Sequence, residues 1–319
     1  MGAILVTGGW GFLGLNVAWS LASRGMRVLL LSRRSVKVPS FLASFWDAEI
    51  RGVTGDISDL SSLLGLMEKH EVESIVHAAH YQFDVSGGKI PLYEALKGNL
   101  IGTANLLEAA RTVPLKRVSF ISSETVYFGV KNAATLHEDL DLPLAGEADM
   151  DIAGIKRLGE QICLIYAQRY GLSIPILRLD RLYGPMSHGR RFPIGTMVEC
   201  AVANRPCDVS HVYGGERANY TYIKDAAKGV ALVHLASQLE HSIYNVAAGV
   251  MYSYLDFAEG LREVVSGAAI TLGSTMSPTQ REYPPLSVAR IQKELGFRPD
   301  YDLKQALKDY TAWLREGIY

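Results

Sequence analysis

Gly8, Gly11 and Gly14 follow the short apolar run Ala3–Thr7 with the spacing GxxGxxG. The chemistry served by this spacing is anion binding through the main chain. Gly8 permits a tight turn, Gly11 lets the backbone approach a pyrophosphate, and Gly14 lets the next helix pack closely on the strand. Phe12 and Leu13 open that helix. Its free N–H groups and positive dipole end would face phosphate. A lone glycine motif is weak evidence. Placed between an expected strand and an expected helix, it reads as a dinucleotide site rather than a merely structural turn. The next apolar run ends at Ser32-Arg33-Arg34. NAD sites usually carry an acid here for the ribose 2′-hydroxyl. Ser32 replaces it, and Arg33 and Arg34 can pair with a 2′-phosphate. NADP is therefore expected over NAD, the alternative being a solvated basic loop.

His77 and His80 have His-x-x-His spacing. No nearby Cys, His or carboxylate set completes a metal pattern, so no metal is expected and His77 reads as a packing residue. His80 and Tyr81 follow a strand at its C-terminal end, where open α/β sheets bind ligands, and both are expected to line a substrate pocket. No Gly-x-Ser-x-Gly elbow is present, which disfavours a hydrolase. The three cysteines, Cys163, Cys200 and Cys207, form no CxxC motif. Their odd number suits a reducing, cytoplasmic setting.

These residues must be positioned by a fold, and the pattern of the chain supplies one. Short apolar runs at Ala3–Thr7, Arg27–Leu31, Ile50–Val53, Ser74–Ala78, Arg117–Ser122 and Ser173–Leu179 alternate with helical stretches. Among the latter are 11–23, Leu60–His70, Tyr93–Arg111 and Ile152–Tyr170. Such alternation implies right-handed crossovers and a Rossmann-type, doubly wound parallel α/β sheet. After Gly184-Pro185 the pattern loses regularity, until helices at Ser287–Leu295 and Leu303–Arg315. The 319 residues are 48% hydrophobic and 20% charged, with a net charge of 32 − 33 = −1. This excludes disorder and argues against nucleic-acid or polybasic membrane attachment. No run approaches the roughly 20 apolar residues of a membrane span.

Further segments make the chain resemble the extended short-chain dehydrogenase/reductase family of nucleotide-sugar epimerases and dehydratases. Gly55-Asp56-Ile57 is similar to the adenine-contacting segment, and His77-Ala78-Ala79 to the strand motif beneath the cofactor. Asn99 and Gly102–Leu107 match a mid-helix pattern, and Ser122–Tyr127 matches the active-site strand. Arg178, Tyr183-Gly184-Pro185, Tyr222–Asp225, Tyr244–Ala247 and Leu295–Pro299 match later segments. The resemblance implies that Gly8, Gly11, Phe12, Leu13, Gly14, Ser32, Arg33, Arg34, Asp56, Ile57, Ala78, Ala79, Asn99 and Lys156 hold the dinucleotide. It also implies that Ser123 orients a substrate oxygen, that Lys156 holds the nicotinamide ribose, and that Tyr127 belongs to the same pocket.

The family pairs Tyr with Lys at i,i+4 on one helix face, the phenol acting as acid/base. Four residues before Lys156 this chain has Ile152, which cannot transfer a proton. Three explanations stay open. Another group serves, with Tyr127, His80, Tyr81 and Asp151 placed to do so; the chemistry has changed; or the protein is an inactive dinucleotide sensor or partner-binding protein. A second departure is Ala218, at the place of a diphosphate-binding Arg, with Arg217 one position away. His188, Arg190 and Arg191 could supply charge instead, or form an exposed basic loop.

The expected protein is thus an NADP-binding oxidoreductase or epimerase/isomerase acting on a small polar metabolite. The sheet domain is expected at 1–178 plus 221–247 and a substrate domain at 179–220 plus 248–319. A homodimer built on Tyr93–Arg111 and Ile152–Tyr170 is implied by the resemblance.

Overall fold

The computed structural model describes residues 2–34, 37–81, 91–144, 150–187, 193–276 and 284–317, with the backbone only at 150 and 151. The first half of the chain runs β1 (Ala3–Thr7), α1 (Phe12–Ala22), β2 (Val28–Ser32), β3 (Ile50–Thr54), α2 (Leu60–Lys69), β4 (Val72–His77), α3 (Leu92–Leu96), α4 (Gly102–Thr112), β5 (Arg117–Ser123) and α5 (Met150–Tyr170). The second half runs β6 (Ile176–Leu179), β7 (Arg181–Tyr183), α6 (Pro193–Val202), β8 (Cys207–Val209), β9 (Arg217–Tyr222), α7 (Ile223–Leu235), β10 (Ile243–Val246), β11 (Met251–Ser253), α8 (Tyr254–Val264), β12 (Ile270–Leu272), α9 (Ala289–Leu295) and α10 (Leu303–Glu316).

Seven strands form one sheet in the order β3-β2-β1-β4-β5-β6-β10. Every neighbouring pair is parallel. The fold is the Rossmann-type doubly wound sheet that the alternating pattern implied. Both faces are covered, so the strands read as continuous apolar runs rather than alternating ones. In β1, Ile4 and Val6 enter the core shared with α1 and α7. Ala3 and Leu5 enter the opposite core, shared with α2, α4 and α5. That division is the two-residue period of an extended strand.

A smaller region gathers α6, α8 and α10 with the sheets β11-β9-β7 and β12-β8 around Tyr220, Tyr222, Phe257 and Tyr310. Its boundary differs from the expected one. Leu286, Val288, Ile291 and Phe297 are buried in the core of the large sheet, on the α1 and α7 side. Residues 284–297 therefore pack with the sheet region, because their apolar side chains complete the cover of α7 and β10. The stretch Tyr93–Arg111 is also interrupted. A π-helical turn at Lys97–Ile101 separates α3 from α4. Such a turn inserts a residue into a helix and is frequent at functional sites.

Candidate functional site

The glycine loop leads from β1 to the start of α1, beside the point where strand order reverses between β1 and β4. Open α/β sheets bind ligands at that position. Gly8 has φ +64°, a conformation costly for other residues. A Cβ on Gly14 would lie 2.3 Å from the Gly8 carbonyl oxygen, so only glycine allows this close approach. Gly11 differs. A Cβ there would meet only the Gly8 oxygen, at 3.1 Å, so no other protein atom closes that side of the loop. Gly11 is the N-cap of α1, with no side-chain cap and no acid in the first turn among the described residues. The orphan N–H groups of α1 thus remain for an anion. These features fit a dinucleotide pyrophosphate. Phe12 and Leu13 pack against the core of the smaller region, and Leu13 also against that of the large sheet.

Arg33 follows β2. Its guanidinium lies 4.9 Å from the Tyr81 ring centroid and donates to the Tyr81 hydroxyl at 2.6 Å. The Asn99 carboxamide accepts from Tyr81 N at 2.9 Å and donates to Tyr81 O at 3.1 Å. A side chain inside the π turn therefore fixes Tyr81, and Tyr81 fixes Arg33. Ser32 Oγ accepts from Arg34 N at 3.1 Å. Asp56 holds its own turn through Ser58, and the Ile57 carbonyl oxygen accepts from Asn105 at 3.1 Å.

The structure assigns His77 a packing role. Thr103 Oγ1 donates to Asn99 O, which leaves its lone pairs to accept from His77 Nε2 at 2.9 Å. Ala79 N donates to Thr7 Oγ1, whose hydroxyl donates to His77 Nδ1 at 2.7 Å. The chain of donors admits one neutral tautomer. Burial, then Lys156 and then His80, push the His77 pKa down to about 3. Ala78 N donates to Thr7 O, and Ala79 lies behind the glycine loop, against Gly8. His80 continues from there, half-buried.

Ser123 ends β5, and its Oγ accepts from Thr125 N at 3.2 Å. Lys156 on α5 donates to Ile121 O at 2.7 Å and lies over the Phe120 ring. Burial lowers its pKa to about 8. Ile152 is half-buried one turn earlier on the same helix. Tyr127 does not join this group and is corrected from catalytic to structural. It is 2% exposed, donates to Asn245 Oδ1 at 2.8 Å and accepts from Arg178 at 2.9 Å. Burial pushes its pKa up to about 12. Arg178 also makes a two-pronged pair with Glu160, at 3.0 and 2.7 Å. His188, Arg190, Arg191 and the Asp151 side chain lie outside the described residues.

Sequence reading missed a second cluster. Ser123 and Leu179 are register partners on β5 and β6. Glu124, which opens the 3-10 turn after β5, and Asp180, directly after β6, therefore leave neighbouring strand ends, close enough for the Glu124 charge to act on Asp180. Arg181 Nε lies 3.5 Å from Glu124 Oε1. Asn219 donates to Glu124 Oε2 at 3.3 Å, and Thr221 to Asp180 Oδ2 at 2.7 Å. Burial raises the Glu124 pKa to about 7 and raises that of Asp180 well above the carboxylate range, with Glu124 adding to the latter. The available signal was an acid directly after each of two adjacent strands, hidden by their separation along the chain.

The sequence profile of the NAD dependent epimerase/dehydratase family matches residues 4–247. A dTDP-glucose 4,6-dehydratase of Actinoplanes sp. is 27% identical, over 98% of this chain and 97% of its own length. A UDP-glucuronate 4-epimerase of Thermodesulfobacterium geofontis is 24% identical, over 100% and 98%. Among solved structures, the UDP-glucose 4-epimerase of Thermotoga maritima with UDP-glucose superposes with a TM-score of 0.82 at 20% identity. That match covers 99% of this chain and 100% of the other. The dTDP-glucose 4,6-dehydratase of Bacillus anthracis with NAD gives 0.80 at 20% identity, over 99% and 97%.

Proposed function

Because the chain belongs to the NAD dependent epimerase/dehydratase family, we propose that it is an enzyme binding NADP in preference to NAD. It acts on a small polar, hydroxyl- or carbonyl-bearing substrate at the C-terminal strand ends. The observation that carries this reading is the open side of Gly11 at the uncapped start of α1. A nicotinamide dinucleotide, when bound, supplies a hydride donor or acceptor. The protein's own residues do the rest. Gly8 and Gly14 shape the loop for the pyrophosphate. Arg33, held by Tyr81, offers its remaining N–H donors to a 2′-phosphate. Ser123 orients a substrate oxygen, and Lys156 holds the nicotinamide ribose by its free N–H donors.

The relatives named above act on nucleotide sugars, and UDP-glucose, UDP-glucuronate and dTDP-glucose are therefore the first substrates to try. Ala218 is buried in β9, while Arg217 is exposed and donates to Met251 O at 2.6 Å. The diphosphate would have to be held differently here. A homodimer is part of the same reading. Tyr93, Ile101, Leu158 and Ile165 are exposed by 70, 52, 49 and 57%. They lie on α3, the π turn and α5, the stretch that the resemblance assigns to a four-helix contact. No helix among the described residues is long and apolar enough to cross a membrane.

Calorimetry with NADPH and NADH tests the binding site. Gly11→Val is expected to abolish binding without unfolding the protein, since its Cβ would obstruct ligand and little else. Retained affinity would refute the placement. Arg33→Ala is expected to erase the preference for NADPH. Ile152 favours a second reading, a dinucleotide-binding protein without turnover. Formation of reduced nicotinamide at 340 nm with the three sugar nucleotides separates the two.

A further inference from the structure

The replacement of the family tyrosine by Ile152 leaves the site without its usual proton donor. Of the groups weighed for that role, Tyr127 is spent in a buried network and Tyr81 is turned to Arg33 at the end of β2. The carboxyl cluster at the ends of β5 and β6 offers another route. Glu124 is 7% exposed and Asp180 is 8% exposed. One guanidinium, Arg181, stands beside them. Tyr220 of β9 and Tyr254 of α8 are the further titratable groups acting on Arg181, and Thr221 and Asn219 of β9 contribute only neutral donors.

One cation cannot balance two buried carboxylates, so the second carboxyl must keep its proton. The hydrogen bonds locate it. Asp180 Oδ2 accepts from Thr221, while Asp180 Oδ1 is buried with no partner. With no donor aimed at Oδ1, an ionised Asp180 would lack the compensation that a buried charge needs, so Asp180 is the carboxyl that stays neutral. Only one other buried side-chain atom among the described residues lacks a partner, and it is Thr125 Oγ1, next to Glu124. Unsatisfied buried polar atoms are rare and call for an explanation. Asp180 Oδ1 belongs to this cluster, which directly follows Ser123 at the ligand-binding end of the sheet.

We propose that Glu124 is the proton-transfer group of this site, in the place that Ile152 leaves vacant, with Asp180 as its positioning partner. The proposal rests on the enzymatic reading above. In the reducing direction, a nicotinamide held by the glycine loop and Lys156 would supply hydride for the new C–H bond at the carbonyl carbon, as the C=O π bond broke. The oxygen takes the proton of Glu124, whose O–H bond breaks. The products are the alcohol, the oxidised dinucleotide and a Glu124 carboxylate facing Arg181. Asp180 keeps its proton and donates it as a hydrogen bond to that carboxylate. Oxidation runs the same steps in reverse.

The experiment compares wild type, Glu124→Gln, Asp180→Asn, Ile152→Tyr and the double variant I152Y/E124Q in the full-length protein. Nicotinamide reduction at 340 nm is followed across pH with UDP-glucose, UDP-glucuronate and dTDP-glucose. Glu124→Gln is expected to lose about 10²–10⁴ in rate, the usual effect of removing a positioned acid/base, with unchanged NADPH affinity by calorimetry. Asp180→Asn is expected to move the pH midpoint of the rate upward, because the hydrogen bond that a protonated Asp180 gives to the Glu124 carboxylate is weakened. Ile152→Tyr is expected to rescue Glu124→Gln, which a merely structural role would not allow. Infrared difference spectra between pH 6 and pH 8 read the proton without substrate. A carboxylic-acid band lost on raising the pH is expected in wild type and not in Glu124→Gln. Wild-type rates in Glu124→Gln, or no such band in wild type, overturn the proposal. Absence of NADPH binding, or of any reduction by wild type with all three sugars, overturns the enzymatic reading instead.

Discussion

Two buried polar clusters flank the end of β5, and they are built on opposite principles. In one, Arg178 meets Glu160 through two parallel hydrogen bonds, and Ser122 and Tyr127 complete the set. Asn245 and Glu138 extend it to β10. Each acid has its own guanidinium, Arg178 for Glu160 and Arg290, 4.0 Å away, for Glu138. In the other, Glu124 and Asp180 share one guanidinium, and an oxygen of Asp180 has no partner. Matched groups hold elements together, whereas unmatched ones store a proton. Perturbed and unsatisfied groups concentrate at functional sites for that reason.

The largest effect should come from breaking the matched cluster. Arg178→Ala leaves Glu160 buried and uncompensated, which typically costs about 3–5 kcal/mol. Urea unfolding would measure it, and a loss below 1 kcal/mol would erase the contrast between the clusters. Glu124→Gln should move stability the other way. The folded pKa of Glu124 is raised, so its contribution is full below about 4.5 and disappears as pH rises through about 7. The variant is expected to melt ~2–4 °C above wild type at pH 8.5, the shift given by about 1 kcal/mol, and no higher at pH 4.5. His77 and His234 slope in the opposite sense. Burial depresses both pKa values to about 3, so the stability they allow is lost as pH falls from 6.5 toward 3. A wild-type melting profile that declines at both ends of the pH scale would carry both signatures. The smallest effect on folding is expected from Ile165→Glu on the exposed face of α5. It should leave the melting temperature within a degree or two, yet give a monomer in sedimentation where the proposed homodimer predicts a wild-type dimer.

Much of the fold was legible before any coordinates. Parallel strands covered on both faces must be apolar throughout, so runs such as Val28–Leu31 announce themselves. The glycine loop is legible because backbone conformation and close approach leave only one residue type. The π turn at Lys97–Ile101 was not legible, since one inserted residue barely disturbs a helical pattern. Asn99, inside that turn, holds the Tyr81 main chain by two hydrogen bonds. The assignment of 284–297 to the smaller region failed for a related reason. Apolar spacing shows that a segment has a core face but not which core receives it.

The sequence by itself determined the Rossmann-type sheet, the glycine spacing of the loop after β1 and the lack of a proton-bearing side chain at Ile152. These are local facts, set by periodicity, by glycine's lack of a Cβ and by the chemistry of one side chain. Only the tertiary structure decided that Tyr127 is structural, that Arg33 is held by Tyr81 and that Glu124 lies beside Asp180. Those are contacts between residues 48 to 118 positions apart, and strand register, which no local pattern encodes, brings the two acids together.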